Sequence, residues 1–292
     1  MKNIGGEIKD HKIVFLIPIF ESIECVEDLI CNIQNICPNS FILFHVNLNS
    51  DESFFSNVEL LTQRYDDCSI FPKRYPSNWG DGYLATVYIE MMDWCLKNLN
   101  FEYVYLTASN SLMINPLLVE NINQFDLYFY EPGIKSSGDW WEHISKDEKL
   151  FEYMEGKVSN VYCAIIEGMA ISKQYTEWFV KELKPFLNHK PVFYPTEEYW
   201  IATAYVYLKA KNKMNHHPFN LERWAHMSDA TINQYKLKVE KTENYVGYLI
   251  KEKQYEVLAN MNIYSLKKIN RQYNDPLRDM IRNHFSYINK VF

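Results

Sequence analysis

Two adjacent carboxylates, Glu197 and Glu198, open an otherwise apolar segment, Tyr194 to Tyr205 (YPTEEYWIATAY), and are the residues best placed to do acid–base chemistry. Pro195 and Thr196 read as a helix start, with Thr196 as the cap and Pro195 just outside it, where no amide donor is missed. The two acids then occupy the first turn, where the helix dipole favours negative charge. Tyr199, Trp200, Ile201, Ala202, Ala204, Tyr205 and Val206 follow, too apolar all round for a surface helix. A carboxylate at the mouth of a buried helix suits a general base, although acids also gather at helix N-termini for the dipole alone.

A second cluster, Asp139, Trp140, Trp141 and Glu142, offers indole faces that stack on sugar C–H surfaces and carboxylates that accept hydroxyl protons. The alternative is that one Trp anchors this loop on the core. Glu167 and Gly168 fall at the end of a predicted strand, where Gly168 permits either a close backbone approach or a bulge. His216, His217 and His226 match no metal-ligand spacing and read as loop histidines. None of the six cysteines forms a CxxC pair, so reduced thiols are expected and zinc is not.

These residues need a scaffold, and the chain has material for one. It is 47% hydrophobic and 16% aromatic over 292 residues, enough for a substantial core. The net charge of -7 argues against nucleic acid as the main partner. No run is long enough to span a bilayer, and the N-terminal residues lack a signal-peptide apolar region, so a cytoplasmic location is expected. The basic residues from Lys267 to Arg282 allow at most a peripheral contact with anionic lipid and read better as a solvated helical face.

Ile13 to Ile19 (IVFLIPI) is a continuous apolar run, as in a parallel strand buried on both faces. Apolar residues at helical spacing from Ile23 to Ile36 follow, stopped by Pro38 and Asn39. Strands are predicted at 41–47, 68–71, 103–107, 125–130 and 161–171, and helices at 53–64, 83–99, 117–123, 173–187 and 274–291. The alternation predicts an α/β layered domain with a mostly parallel central sheet, and no linker or repeat divides residues 1–292. Ligands in such sheets bind beyond the carboxyl ends of the strands, which gathers the loops at Phe20, Asn47, Trp79 and Ser109 to Ser111 at one rim.

Five segments resemble, in order, the core-2/I-branching β-1,6-N-acetylglucosaminyltransferase family, which also includes peptide xylosyltransferases. They are IVFLIPI with FHVNLNSDESFF, NWGDGYLATVYIEMMDWCLKN, FEYVYLTASNSLMINP, IEGMAISKQYTEWFV and YPTEEYWIATA, together covering about residues 12–206. The resemblance implies a GT-A-like, Rossmann-type fold and an inverting transfer from a UDP-sugar to a glycan or glycolipid hydroxyl, as in bacterial surface polysaccharide synthesis. Glu198 matches the family's catalytic base, and Glu197 is its neighbour. One base suffices for inversion, because a sugar hydroxyl needs its proton removed as it attacks the anomeric carbon.

The resemblance also implies a metal-independent enzyme, with basic side chains in place of a cation beside the leaving diphosphate. Ser109-Asn110-Ser111 stands where many GT-A enzymes carry Asp-x-Asp, and without a carboxylate it is a poor site for a hard divalent metal. Lys251 and Lys253, in YLIKEKQYEVL, resemble a basic family segment and are the diphosphate candidates together with Arg223; each also reads as an ordinary surface charge. Asn47 and Asn110 replace family aspartates, keep hydrogen-bonding capacity, and with Ser109 are donor-side candidates; Asn47 reads equally as a turn residue. Asp139, Trp140, Trp141, Glu142, Glu167 and Glu197 are the acceptor-side candidates. Two other readings remain: a metal-dependent transferase using acids such as Asp51 and Glu52, and a non-catalytic nucleotide- or sugar-binding relative.

Overall fold

The apolar run at the start of the chain is a strand, Asp10–Ile19 (β1), whose alternate side chains enter two different cores. Ile13, Phe15, Ile17 and Ile19 pack on one side of the sheet, and Val14 and Leu16 on the other. That two-sided burial explains why no polar residue interrupts the run. The computed structural model describes residues 9–20, 22–77, 80, 82–187, 192–224 and 242–287, without the side chains of 223, 224 and 242–245.

Helix α1 (Ile23–Ile36), strand β2 (Ser40–Val46), helix α2 (Glu52–Thr62) and strand β3 (Cys68–Ile70) follow β1. Then come α3 (Leu84–Asn98), β4 (Asn100–Leu106), β5 (Leu112–Met113), α4 (Leu118–Asn121), β6 (Leu127–Tyr128) and β7 (Gly133–Lys135). The middle of the chain holds α5 (Trp141–Ile144), α6 (Glu148–Met154), β8 (Val161–Cys163), β9 (Met169–Ser172), α7 (Lys173–Leu183) and α8 (Thr196–Lys211). The remainder forms β10 (His216–His217), β11 (Glu222–Trp224), α9 (Thr242–Lys251), α10 (Tyr255–Asn260), β12 (Ser265–Lys267) and α11 (Pro276–Phe285).

Seven strands make the central sheet in the order β10-β6-β9-β4-β1-β2-β3. Every neighbouring pair is parallel except those of β9, which runs antiparallel to both β4 and β6. The layered α/β arrangement with a mostly parallel sheet is therefore present. Helix α1 and the C-terminal helices cover one face, and α3, α7 and α8 the other. A small sheet, β11-β12-β5, lies beside it and joins the C-terminal part to the loop after β4.

Four local expectations need correction. The segment 161–171 is two strands, because its backbone changes partners: Ala164 N donates to Glu198 O at 3.0 Å and Gly168 N to Leu106 O at 2.7 Å. Thr196 is the first helical residue of α8 and not its cap; its hydroxyl accepts from Ala85 N at 3.3 Å, serving an orphan amide at the start of α3. His216 and His217 form edge strand β10 against β6, and His226 lies outside the described residues. The basic C-terminal run is not a solvated face throughout. Arg278 and Asp28 are both fully buried, with Nη1 and Oδ2 2.9 Å apart, so the pair ties α11 to α1.

Candidate active site

At the carboxyl ends of β1 and β4 the structure has a cavity of about 530 Å³. Ser109 and Asn110, from the loop after β4, line it, and Asn110 O accepts from Ile269 N at 3.1 Å. Glu197 and Glu198 enter from the first turn of α8, and Glu167 from the turn between β8 and β9. Lys267, at the end of β12, and Lys268 and Arg271 just beyond it supply the cationic side. Phe20, Leu84, Tyr88 and Ile166 are among the apolar lining. Acids and bases thus face one space beyond the strand ends.

The position of α8 follows from its sequence. Apolar on every side, it is buried against α3, α7 and β8. Two polar contacts then fix its start. Asp147, itself the cap of α6, accepts from Tyr194 Oη at 2.5 Å and from Trp200 Nε1 at 3.2 Å. Those two donors bracket Glu197 and Glu198 in the chain, so the acids are held from both sides.

The environments of the two acids differ. Glu197 is 5% exposed, and its Oε2 has no hydrogen-bond partner among the described residues. Burial pushes its carboxyl well above the usual range, a backbone hydrogen bond opposes this, and the negative charges of Glu198 and Glu167 add to it. Glu198 is partly buried; burial and then Glu167 raise it to about 7, against the pull of Lys267 and Lys135. Both carboxyls are thus held above the ordinary range, Glu197 by the deeper burial, and Glu198, raised to about 7, titrates near neutral pH.

A fourth carboxylate lies outside the lining of the cavity. Glu222 in β11 accepts from Thr107 Oγ1 at 2.8 Å and Ser265 Oγ at 3.0 Å, and it is 4% exposed. Burial raises it to about 7 despite Lys267 and the hydroxyl donors, with Glu167 adding to the rise. Gly168 makes this packing possible. Its φ is +81°, and a Cβ there would lie 2.4 Å from Glu222 Cβ. The close backbone approach, and not a bulge, is its role.

The other sequence candidates whose side chains are described stand outside the cavity lining. Asn47 is buried at the end of β2, where its Oδ1 accepts from Asn49 N at 2.9 Å, the geometry of a turn residue. Lys251 ends α9, and Lys253 follows in a turn with φ +53°. Arg223 stands in β11 opposite Leu266; its side chain lies outside the described residues, as does Trp79. Asp139 is exposed, Trp140 and Trp141 are partly buried against the α3/α8 core, and Glu142 pairs with Lys146 at 2.8 Å. Trp140, His143 and the exposed Phe193 form a row with ring centroids 6.5 and 6.2 Å apart. Asp51 precedes α2 on the surface, and Glu52 is paired with Arg74 at 2.7 Å. Among the described residues, no group of three or more His, Cys, Asp or Glu side chains is arranged to hold a metal ion.

Sequence reasoning missed Lys267, Lys268 and Arg271 as cavity residues, together with Glu222. The alternation in Tyr264-Ser265-Leu266-Lys267 was the available sign that a strand delivers Lys267 to one face.

No family model matches the chain, and no curated protein does. Among solved structures it is similar to the mannosyltransferase PcManGT from Pyrobaculum calidifontis, in complex with GDP-Man and Mn2+. The identity is 11% and the TM-score 0.35, over 58% of this chain and 47% of that one. The chain therefore spans about half the length of that protein. So slight a likeness leaves the chemistry to the geometry.

Proposed function

We propose that the chain is a GT-A-like glycosyltransferase, related to the core-2/I-branching family, that moves a sugar from a UDP-sugar to a glycan or glycolipid hydroxyl with inversion. The observation that carries this reading is one cavity lined both by a carboxylate raised to about 7 and by three cationic side chains. A metal-free inverting transfer from a nucleoside diphosphate uses both, a base for the acceptor proton and positive charge for the leaving diphosphate. Glu198 takes the proton of the acceptor hydroxyl as its oxygen bonds to the anomeric carbon. The bond from that carbon to the diphosphate oxygen breaks on the opposite face, and Lys267, Lys268 and Arg271 neutralise the charge left on the diphosphate.

Glu197 serves the acceptor in this reading. Glu197 lines the same space, and its buried Oε2 has no partner among the described residues, so its carboxyl is the lining group most in need of a hydrogen bond. Ser109 and Asn110 supply donor-side hydrogen bonds without a carboxylate. Metal independence belongs to the same proposal and is supported by the three cations at the place where diphosphate charge would develop. Trp140 and Trp141 remain the proposed acceptor platform, now with His143 and Phe193 alongside.

Calorimetric titration of UDP in EDTA, repeated with manganese, tests the donor side. Equal affinity in both conditions is expected; binding that appears only with manganese overturns the cationic model. A UDP-sugar turnover screen of the wild type against Glu198→Gln then tests the chemistry, and unchanged turnover in the variant refutes Glu198 as base.

A further inference from the structure

Glu167 and Lys267 form an ion pair inside the cavity, with the carboxylate and the ammonium both largely shielded from solvent. The backbone beneath Glu167 is fixed on several sides. Asn220 Nδ2 donates to Ile165 O at 2.8 Å and to Glu167 O at 2.9 Å. On the following residue, Gly168 N donates to Leu106 O at 2.7 Å, and Gly168 O accepts from Leu221 N at 2.8 Å. The Glu167 side chain is the part left to move. Lys267 is the partner the structure gives its carboxylate, and a rotation about the side-chain bonds would release it without disturbing the turn.

Lys267 also stands with Lys268 and Arg271 on the side of the cavity read above as the diphosphate site. A carboxylate on an ammonium resembles a phosphate oxygen on the same ammonium in charge and hydrogen bonding. From this geometry we infer that Glu167 is a placeholder: its carboxylate occupies the position on Lys267 that a phosphate group of the ligand takes, and ligand binding displaces it. The role assigned to Glu167 from the sequence, acceptor binding, is replaced by competition with the donor. The inference rests on the donor-side reading of the cavity but applies to any phosphate-bearing anion.

The placeholder accounts for two features together. The ion pair keeps Lys267 neutralised, which a largely buried ammonium requires. It also sets the charge balance at Glu198, whose carboxyl is raised by the Glu167 charge and lowered by Lys267. Once an anion occupies Lys267, the released carboxylate and the anion both act on Glu198 in the direction of a stronger base.

The test is a double-mutant cycle on anion affinity, with inorganic pyrophosphate and UDP as calorimetric probes and a thermal melt of each variant as a folding check. Glu167→Gln is expected to tighten pyrophosphate binding by about fivefold, the scale of a partly exposed ion pair. Lys267→Gln is expected to weaken it, and adding Glu167→Gln to that variant is expected to change nothing further. Glu167→Ala repeats the first arm should the amide find a new partner. Unchanged or weaker binding in the Glu167 variants overturns the placeholder, and so does equal tightening in the Lys267→Gln background, which would mark a general charge effect. Absence of pyrophosphate binding to the wild type and to both Glu167 variants also overturns it. If pyrophosphate binds with the expected pattern but UDP does not, the placeholder stands and the nucleotide reading falls. If UDP binds and Glu167→Gln leaves its affinity unchanged, the reverse holds.

Discussion

Replacing Glu222 with Gln separates the charge of a buried carboxylate from its shape. In the folded chain burial raises this group to about 7, against an ordinary 4.5 in the unfolded chain. Between those two values the folded state binds the extra proton, so stability falls as pH rises from about 4.5 and levels off above about 7. At about 1.36 kcal/mol per pH decade, the full difference is about 3 kcal/mol. Gln keeps an oxygen to accept from Thr107 and Ser265 but carries no charge. The variant is therefore expected to match the wild type near pH 4.5 and to exceed it by up to about 3 kcal/mol at pH 8. Urea denaturation of both chains at several pH values measures this, read as the difference in midpoint at constant slope. A difference independent of pH would refute the reasoning, because it would show that Glu222 acts through packing alone. A wild type more stable than the variant at pH 8 would refute it more strongly, by showing that Lys267 favours the ionised form enough to outweigh burial.

Glu198→Gln is expected to lower transfer by about 10²–10⁴-fold while leaving UDP affinity nearly unchanged. Because the base acts when ionised, the wild-type rate should rise through about pH 7 to a plateau, and residual variant activity should lack that rise, as initial rates across pH 5.5–9 would show. Gly168→Ala is expected to destabilise the fold by about 3 kcal/mol, since the added Cβ meets the Glu222 backbone at a positive φ; chemical denaturation measures it. Asp28→Asn leaves Arg278 buried without its counter-charge and is expected to cost about 3–5 kcal/mol, visible as a large drop in melting temperature.

The parts of the fold legible in the sequence were those set by periodicity. Residues Ile23–Ile36 form a helix with the bounds their spacing gave, and the continuous apolar run became a strand buried on both faces. The segment 161–171 was not legible, because it is apolar throughout while its interruption is made by partners far away in sequence, Leu106 O and Glu198 O. Thr196 has the composition of a cap, yet which helix it serves is decided by tertiary contact with α3. In the cavity, Glu197, Glu198, Glu167, Ser109 and Asn110 were singled out from local pattern and do converge. The cations that line the cavity come from a segment that was not singled out for them. Lys251 and Lys253 lie in helix and turn outside the cavity, whereas Lys267 is brought in by a three-residue strand whose pairing with β5 and β11 leaves little trace in so short a stretch.

Two carboxylates side by side in sequence become different chemical groups because a helix turns about 100° between consecutive residues. The turn directs Glu197 into the packing around α8, where its charged form has no compensating donor beyond the backbone, while Glu198 stays partly open to the cavity and within reach of the Lys267 and Lys135 fields. The two carboxyls are pushed apart by their surroundings, the condition under which neighbouring groups can take different acid–base parts. The arrangement depends on α8 keeping its rotation, and Asp147 controls that rotation through Tyr194 on one side of the pair and Trp200 on the other. Exchanging the exposures of the two acids would take a rotation of about 100°, which these two anchors oppose. The difference between the two acids is thus a property of how the helix is anchored, and only secondarily of the residue type, which is the same at both positions.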